Sequence, residues 1–230
     1  MSKELIKLKN ISKIFTKNNV KVLNNINFNF KIGKTYSIIG PSGSGKSTLL
    51  NLISLIDRPS SGNIYFENEK INFDKNENTD EIRSKKIGII YQDKNLLPDF
   101  NALENIYIPK LTQTENYEDA IREAKKLINK VGLSNRAKHY PSELSGGESQ
   151  RIAISRALIN FPKIILADEP TGNLDNKNSK EIFKLLLKLK NKNRVIIYAT
   201  HNIYFAKMAD CKLQLRNGKI RSYNARVVQK

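Results

Sequence analysis

A short apolar strand runs straight into a glycine-rich loop that opens a helix, and few folds can host that junction. Tyr36–Ile39 reads as the strand. Gly40, Pro41, Ser42, Gly43, Ser44, Gly45, Lys46 and Ser47 form the loop, and Leu49, Leu50, Leu52, Ile53 and Ile56 recur at helical spacing over Lys46–Ile56. The loop fits G-x-x-x-x-G-K-[ST], the P-loop pattern, in the strand–loop–helix context that the pattern needs. Glycines let backbone N–H groups turn toward phosphate oxygens with no Cβ in the way. The helix N-terminus adds partial positive charge at the same spot. Lys46 can reach the β- and γ-phosphates, and the Ser47 hydroxyl can ligate Mg2+. Residues 40–48, ending at Thr48, are therefore the candidate nucleotide cradle, with ATP and Mg2+ as the expected ligands.

A P-loop needs a second half, and Ile164–Glu169 supplies it. Four apolar residues run into Asp168 and Glu169. An Asp after a hydrophobic strand holds Mg2+ directly or through water. Adjacent strand residues point to opposite faces, but at a strand end both can reach the mouth of the sheet. Glu169 is then the candidate general base for the attacking water.

The intervening chain reads as alternating strands and helices. Leu5–Ile11 and Val20–Phe30 alternate apolar and polar residues, as half-buried strands do. Asn63–Phe66 and Ile87–Tyr91 are further strands, with the charged residues 67–86 between them as a surface excursion. Helical spacing runs from Ala102 to Gly132, clearest over Tyr117–Val131, and again from Glu148 to Leu158, ahead of Pro162. Lys163–Ala167 and Arg194–Thr200 are buried strands flanking a helix over Asn178–Leu189. The alternation predicts an α/β core around a largely parallel sheet. The helical run from about residue 96 to 150 interrupts it and reads as an inserted lobe. The expected organisation is one domain over 1–230, with 1–95 and 151–230 as core and 96–150 as helical subdomain.

Leu144-Ser145-Gly146-Gly147-Glu148-Ser149-Gln150 is a second glycine-rich helix start. Ser145 with Glu148 forms a capping box, and the exposed N–H groups make a second anion site. This segment resembles the signature motif of the ABC ATPases. Gln92 matches that family's Q-loop, Asn173-Leu174-Asp175 its D-loop and His201 its switch histidine. Phe15 sits where the family places an adenine-stacking aromatic. The resemblance covers essentially the whole chain. It implies a P-loop NTPase core with an N-terminal antiparallel β subdomain and an inserted helical subdomain. It implies a homodimer with ATP at the interface, Ser145, Gly146 and Gly147 acting on the partner copy's ATP. Ser47, Gln92 and Asp168 then surround Mg2+, and His201 contacts the γ-phosphate.

Pro170–Asp175 resembles the branch that includes lipoprotein-releasing, macrolide-export and cell-division ATPases. The Leu96–Asn105 stretch, LLPDFNALEN, is closest to the lipoprotein-releasing ones. That resemblance implies two transmembrane permease subunits docking near Gln92–Asn105, against a groove that apolar Leu96, Leu97 and Phe100 suit. Asp93 after the Q-loop glutamine, Ser149 in the signature and Asn202 after His201 depart from the family pattern. The alternative reading is a macrolide-export ATPase or a cell-division ATPase that signals without transport. A DNA-repair ATPase would insert long coiled coils between P-loop and signature, and no sustained heptads stand there.

The net charge of +18 admits nucleic-acid binding, an anionic membrane face or coding bias. Asn is abundant alongside Lys, which electrostatic selection does not explain, so no specific nucleic-acid partner is expected. No apolar run approaches the ~18–20 residues that span a bilayer, and residues 1–10 lack a signal peptide's apolar region. Cys211 is the only cysteine, so no intrachain disulfide forms. The expected location is peripheral, on the cytoplasmic face of the inner membrane.

Overall fold

Buried apolar residues anchor the first strands, with register shifts interrupting strict alternation. Along β1 (Glu4–Phe15) Leu5, Ile6, Leu8 and Ile11 are buried, and β2 (Val20–Lys31) answers with Leu23, Ile26 and Phe30. The computed structural model describes residues 3–16, 19–74, 76–114 and 116–223. The remaining elements follow in chain order: β3 (Thr35–Ile39), α1 (Lys46–Ile53), β4 (Ser61–Phe66), β5 (Glu69–Lys70), α2 (Asn76–Lys86), β6 (Ile87–Ile90), α3 (Ala102–Leu111), α4 (Tyr117–Lys130), α5 (Gly146–Leu158), β7 (Ile164–Asp168), α6 (Asn176–Lys188), β8 (Val195–Ala199), α7 (Ile203–Ala206), β9 (Cys211–Arg216) and β10 (Lys219–Ser222). The chain divides into two compact units, Met1–Thr79 with Lys190–Lys230, and Asp80–Leu189.

The first unit carries an antiparallel sheet in the order β2-β1-β4-β5 and a second, mainly parallel group in the order β10-β9-β3-β8. All five residues of β8 and the first four of β3 are buried, the near-continuous burial that parallel strands show. Ser37 is tolerated there because its hydroxyl donates to the Ala206 carbonyl at 2.9 Å. Phe30 and Tyr36 pack edge to face, centroids 4.9 Å apart, and burial pushes the Tyr36 phenol up to about 12. The Thr200 N–H donates to the Ile38 carbonyl at 3.1 Å, so β3 and β8 end side by side.

In the second unit β6 and β7 pair in parallel, and α3, α4 and α5 pack around one apolar cluster. Ala120, Ala124 and Ile128 fall one turn apart on α4 and are buried, with Asn116 capping the helix through Asp119 N–H at 3.1 Å. Ile106 and Tyr107 of α3 and Ile152 of α5 meet them.

Three features depart from the sequence expectations. The first helix stops at Ile53, short of Ile56, because Leu55 turns left-handed (φ 61°). Ile56 N–H returns to Asn51 O at 3.1 Å and Leu55 N–H to Leu52 O at 3.2 Å. These are the two bonds of a Schellman ending, which normally takes Gly at that position. Burial of Leu55 offsets the strain. Helix α2 lies inside the predicted surface excursion. It shows no apolar stripe, and Arg83–Asp80 and Lys85–Glu81 pairs lie on its surface. The hairpin β9–β10 was not anticipated either: it closes the parallel group with one antiparallel strand.

Candidate functional site

In the first unit the cradle is built where β3 ends. Gly45 is the residue before α1 and holds φ 98°, a conformation open to glycine but not to other residues at low cost. A Cβ there would also stand 2.7 Å from Val22 Cγ1. No side chain caps α1, so its first-turn N–H groups have no partner within the helix and point into the loop. Lys46 is buried, and its ammonium donates to the carbonyls of Gly40 and Pro41, each at 3.0 Å, across the loop. Ser44 Oγ is buried with no hydrogen-bond partner. Pro41, Ser42, Gly43 and Ser47 are exposed, with Thr48 half-buried and a Cβ on Gly43 meeting open space. An uncapped helix start, an unsatisfied hydroxyl and a buried ammonium fit a polyphosphate.

Phe15 ends β1, its ring 44 % exposed, with the Lys13 ammonium 5.3 Å from the ring centroid. Lys13 is itself held by Asp57 at 2.6 Å. An exposed aromatic residue thus stands at the end of a strand, and base stacking needs such a ring. His201 is exposed immediately after β8, and Asn202 caps α7 through Tyr204 N–H at 2.9 Å. Asn in place of the family's usual Asp keeps this cap, since the two cap equally well.

In the second unit Gln92 follows β6, Asp168 ends β7 and Glu169 follows it, so the parallel pair delivers all three at one end. Asp168 Oδ1 is buried with no hydrogen-bond partner, an acceptor fit for a cation. Glu169 adopts φ 43°. Two successive strand residues would diverge; the left-handed turn at Glu169 breaks that alternation. Left-handed conformations at residues other than glycine cluster at functional positions. No group of three or more His, Cys, Asp or Glu gathers among the described residues. Mg2+ is commonly bound by one or two protein groups plus phosphates, so the few oxygens offered here suffice.

The capping box at Ser145 forms as expected. Ser145 Oγ accepts from Glu148 N–H at 3.3 Å, and Glu148 returns to Ser145 N–H at 2.8 Å. These Ser145 bonds, with Arg136 at 3.0 Å, hold the Glu148 carboxyl below its usual range. Ser145 and Gly146 are exposed, whereas Gly147 is buried, and a Cβ on it would lie 2.7 Å from Asn178 Oδ1. Gly147 therefore has a packing duty against α6 as well. Gln150 is fully buried and donates to the Tyr91 carbonyl at 3.4 Å, tying α5 to the residue before Gln92.

The segment 96–105 splits its apolar residues. Leu96 packs on the helical cluster; Leu97 and Phe100 are exposed. Asn105, fully buried, knots the loop: its Nδ2 donates to Leu97, Phe100 and Asn101 carbonyls, and its Oδ1 accepts from Leu97 N–H at 2.8 Å. Arg156 has no assignment from the sequence, and Asn173 is read there only as part of the D-loop match. Arg156, its charge disfavoured by burial, donates to the carbonyls of Lys94 and Asn95, both at 2.6 Å, and both residues have positive φ. Asn173 bonds Gln92 and Asp93. Neither pairing has a local sequence signal, because each reaches a loop about sixty to eighty residues away.

The family profile described as ABC transporter matches residues 23–172. Curated relatives titled lipoprotein-releasing system ATP-binding protein LolD align over almost the whole chain. The Wigglesworthia glossinidia brevipalpis protein is 48 % identical over 96 % of this chain and 97 % of its own length. The Rickettsia bellii protein is 44 % identical over 96 % and 99 %. Among solved structures, a dimeric post-hydrolysis state of the ATP-binding cassette MJ0796 bound to ADP and Pi superimposes with TM-score 0.88. It is 38 % identical and covers 97 % of this chain and 100 % of that one.

Proposed function

The chain belongs to the ABC transporter family as an ATP-hydrolysing subunit, and from that premise we propose that it powers release of lipoproteins from the inner membrane with two permease subunits. The observation that carries the reading is the near-full-length identity of 48 % and 44 % to two lipoprotein-releasing ATPases. No helix among the described residues is long and apolar enough to cross a membrane. In the proposed complex the permeases do the membrane work, and the chain sits peripherally on the cytoplasmic face. A cavity of about 440 Å3 supports a docking place for a permease helix beside Gln92–Asn105. Leu97, Ile108 and Pro109 line it with Arg83 and with Asn160, whose Oδ1 is buried without a partner. An amphipathic segment bearing a donor suits those groups.

The residues divide the chemistry as follows. Phe15 stacks the adenine. The 40–48 loop, through the N–H groups of its residues other than Pro41, and the Lys46 ammonium bind the phosphates and neutralise charge that shifts toward the leaving oxygen. Ser47, Asp168 and Gln92 would hold Mg2+, which when bound would supply Lewis-acid stabilisation of the phosphate oxygens. Glu169 orients the attacking water and takes its proton; His201 donates to the γ-phosphate. Two copies pair head to tail, so that Ser145, Gly146 and Gly147 of one copy meet the γ-phosphate held by the other. Residues 96–150 act as the helical signature subdomain. Once the γ-phosphate is gone, the affinity that held the copies together is gone too, and they part.

Glu169→Gln tests the motor: it should bind ATP, remain dimeric and release phosphate at least about a hundredfold more slowly. Lys46→Ala should fail to bind or hydrolyse ATP. For the substrate, the chain is co-expressed with its neighbouring permease genes, and lipoprotein release from spheroplasts is followed. A complex that forms, hydrolyses ATP and exports a macrolide or activates a wall hydrolase, but releases no lipoprotein, would transfer the assignment to a sister branch.

A further inference from the structure

Asn173 stands in the turn after Glu169, exposed, yet both ends of its side-chain amide are occupied. Its Nδ2 donates to Asp93 Oδ1 at 2.9 Å, and its Oδ1 accepts from Gln92 Nε2 at 3.2 Å. The chemistry allows only this direction. An ionised carboxylate can only accept, so Asn173 offers Asp93 its NH2. That leaves its carbonyl oxygen for Gln92, and a carbonyl also only accepts, so Gln92 offers its own NH2. Gln92 Oε1 is the end of the relay left over as an acceptor. The turn is built to receive this side chain. A Cβ on Gly172 would lie 3.0 Å from Gln92 Nε2 and 3.1 Å from its Cδ, so a side chain there would press the amide away from the backbone by a few tenths of an ångström. The Gly172 N–H in turn donates to the Glu169 carbonyl at 2.9 Å, fastening the turn to the end of β7.

We propose that Asn173 is a positioning residue for hydrolysis: by reading the carboxylate of Asp93 it sets the Gln92 amide so that oxygen Oε1, and not the NH2, is offered to Mg2+. This rests on the assignment of Gln92 to Mg2+ above. An amide turned the other way presents N–H donors, which repel a cation. The departure Asp93 then has a purpose, because a neutral amide at 93 could bond Asn173 in either sense and would transmit no direction. Without the relay Gln92 regains the second amide orientation and its other rotamers. Apparent affinity falls in proportion to the competent fraction; a fraction of a third to a tenth weakens metal binding about three- to tenfold.

The test uses Mn2+ in place of Mg2+, titrated by paramagnetic resonance against full-length protein saturated with ATP in the hydrolysis-blocked Glu169→Gln background. Asn173→Ala, Asp93→Asn, Gln92→Ala and the double variant Asn173→Ala with Gln92→Ala are compared; ATP binding in EDTA controls for folding. The relay predicts Mn2+ affinity about three- to tenfold weaker in Asn173→Ala and Asp93→Asn. It predicts at least as great a loss in Gln92→Ala and no further loss in the double variant. Unchanged affinity in Asn173→Ala and Asp93→Asn beside a loss in Gln92→Ala overturns the relay while leaving Gln92 at the metal. Equal losses from Asn173→Ala with and without Gln92 overturn it too. No loss in Gln92→Ala removes the premise and the relay together.

Discussion

Consider Ser145, replaced by Ala in one variant and by Asp in another. Its hydroxyl has a structural duty visible in the fold and a proposed duty on the partner copy's ATP. The structural half is small. The bond it accepts from Glu148 N–H is long, at 3.3 Å, while the return bond from Ser145 N–H to Glu148 is 2.8 Å and survives either change. Loss of an N-cap runs from about 0.5 to 2 kcal/mol, and this geometry puts Ser145→Ala at the low end, about 0.5–1 kcal/mol. In a chain of this length that lowers Tm by roughly 1–4 °C. Asp caps as well as Ser, so Ser145→Asp should unfold within about 2 °C of wild type. Hydrolysis should go the other way. Asp sets a carboxylate against the γ-phosphate, so its phosphate release should fall at least about a hundredfold, more than that of the Ala variant. Thermal unfolding followed by circular dichroism and steady-state phosphate release read the two quantities on the same preparations. Wild-type turnover in Ser145→Asp, at any stability, would refute the role of this helix start in the partner's site. A Tm loss above about 8 °C in Ser145→Ala would refute the assignment of its stability effect to the cap alone.

Asn105→Ala should cost about 3 kcal/mol, since it abandons four bonds inside a fully buried site, and limited proteolysis should then cut between residues 97 and 101. Leu55→Gly relieves about 1 kcal/mol of left-handed strain but gives up about 2–3 kcal/mol of burial, for a net loss of about 1–2 kcal/mol in urea unfolding. Burial raises the Asp210 pKa, but Lys190 at 2.7 Å and the Thr35 N–H and hydroxyl outweigh it and hold the carboxyl below its usual range. Its stabilisation is therefore complete above the unfolded value near ~3.9 and lost as pH falls through the lower folded one. Asp210→Asn should be less stable at pH 7 and show a flatter loss of stability below about pH 4.

The parts legible in the sequence were those whose physics is local. The P-loop, the Ser145 capping box and the strand into Asp168 each announce themselves within ten residues, because spacing and residue type fix both backbone and chemistry. The helical cluster was readable from the four-residue rhythm of Ala120, Ala124 and Ile128. What stayed hidden was carried by tertiary context. Helix α2 has no apolar period, so no rhythm reports it. The stop at Leu55 needs a residue in a conformation that its type disfavours, and only burial explains it. Glu169 φ belongs to the same class. Asn173 and Arg156 act across the fold on loops remote in sequence, and a single sequence contains no sign of such pairs.

The knot at Asn105 has a bearing on how such a protein changes partners. One amide beneath the loop, that of Asn105, makes four of the hydrogen bonds that shape residues 97–101, beside the Asn101–Glu104 capping box, while the side chains of Leu97 and Phe100 are exposed and make none of them. Those two positions are free to drift without unravelling their own support. With the proposed docking near residues 92–105, a lineage, or an engineer, could exchange them to suit a new membrane subunit at little thermodynamic cost, so long as the asparagine is left alone.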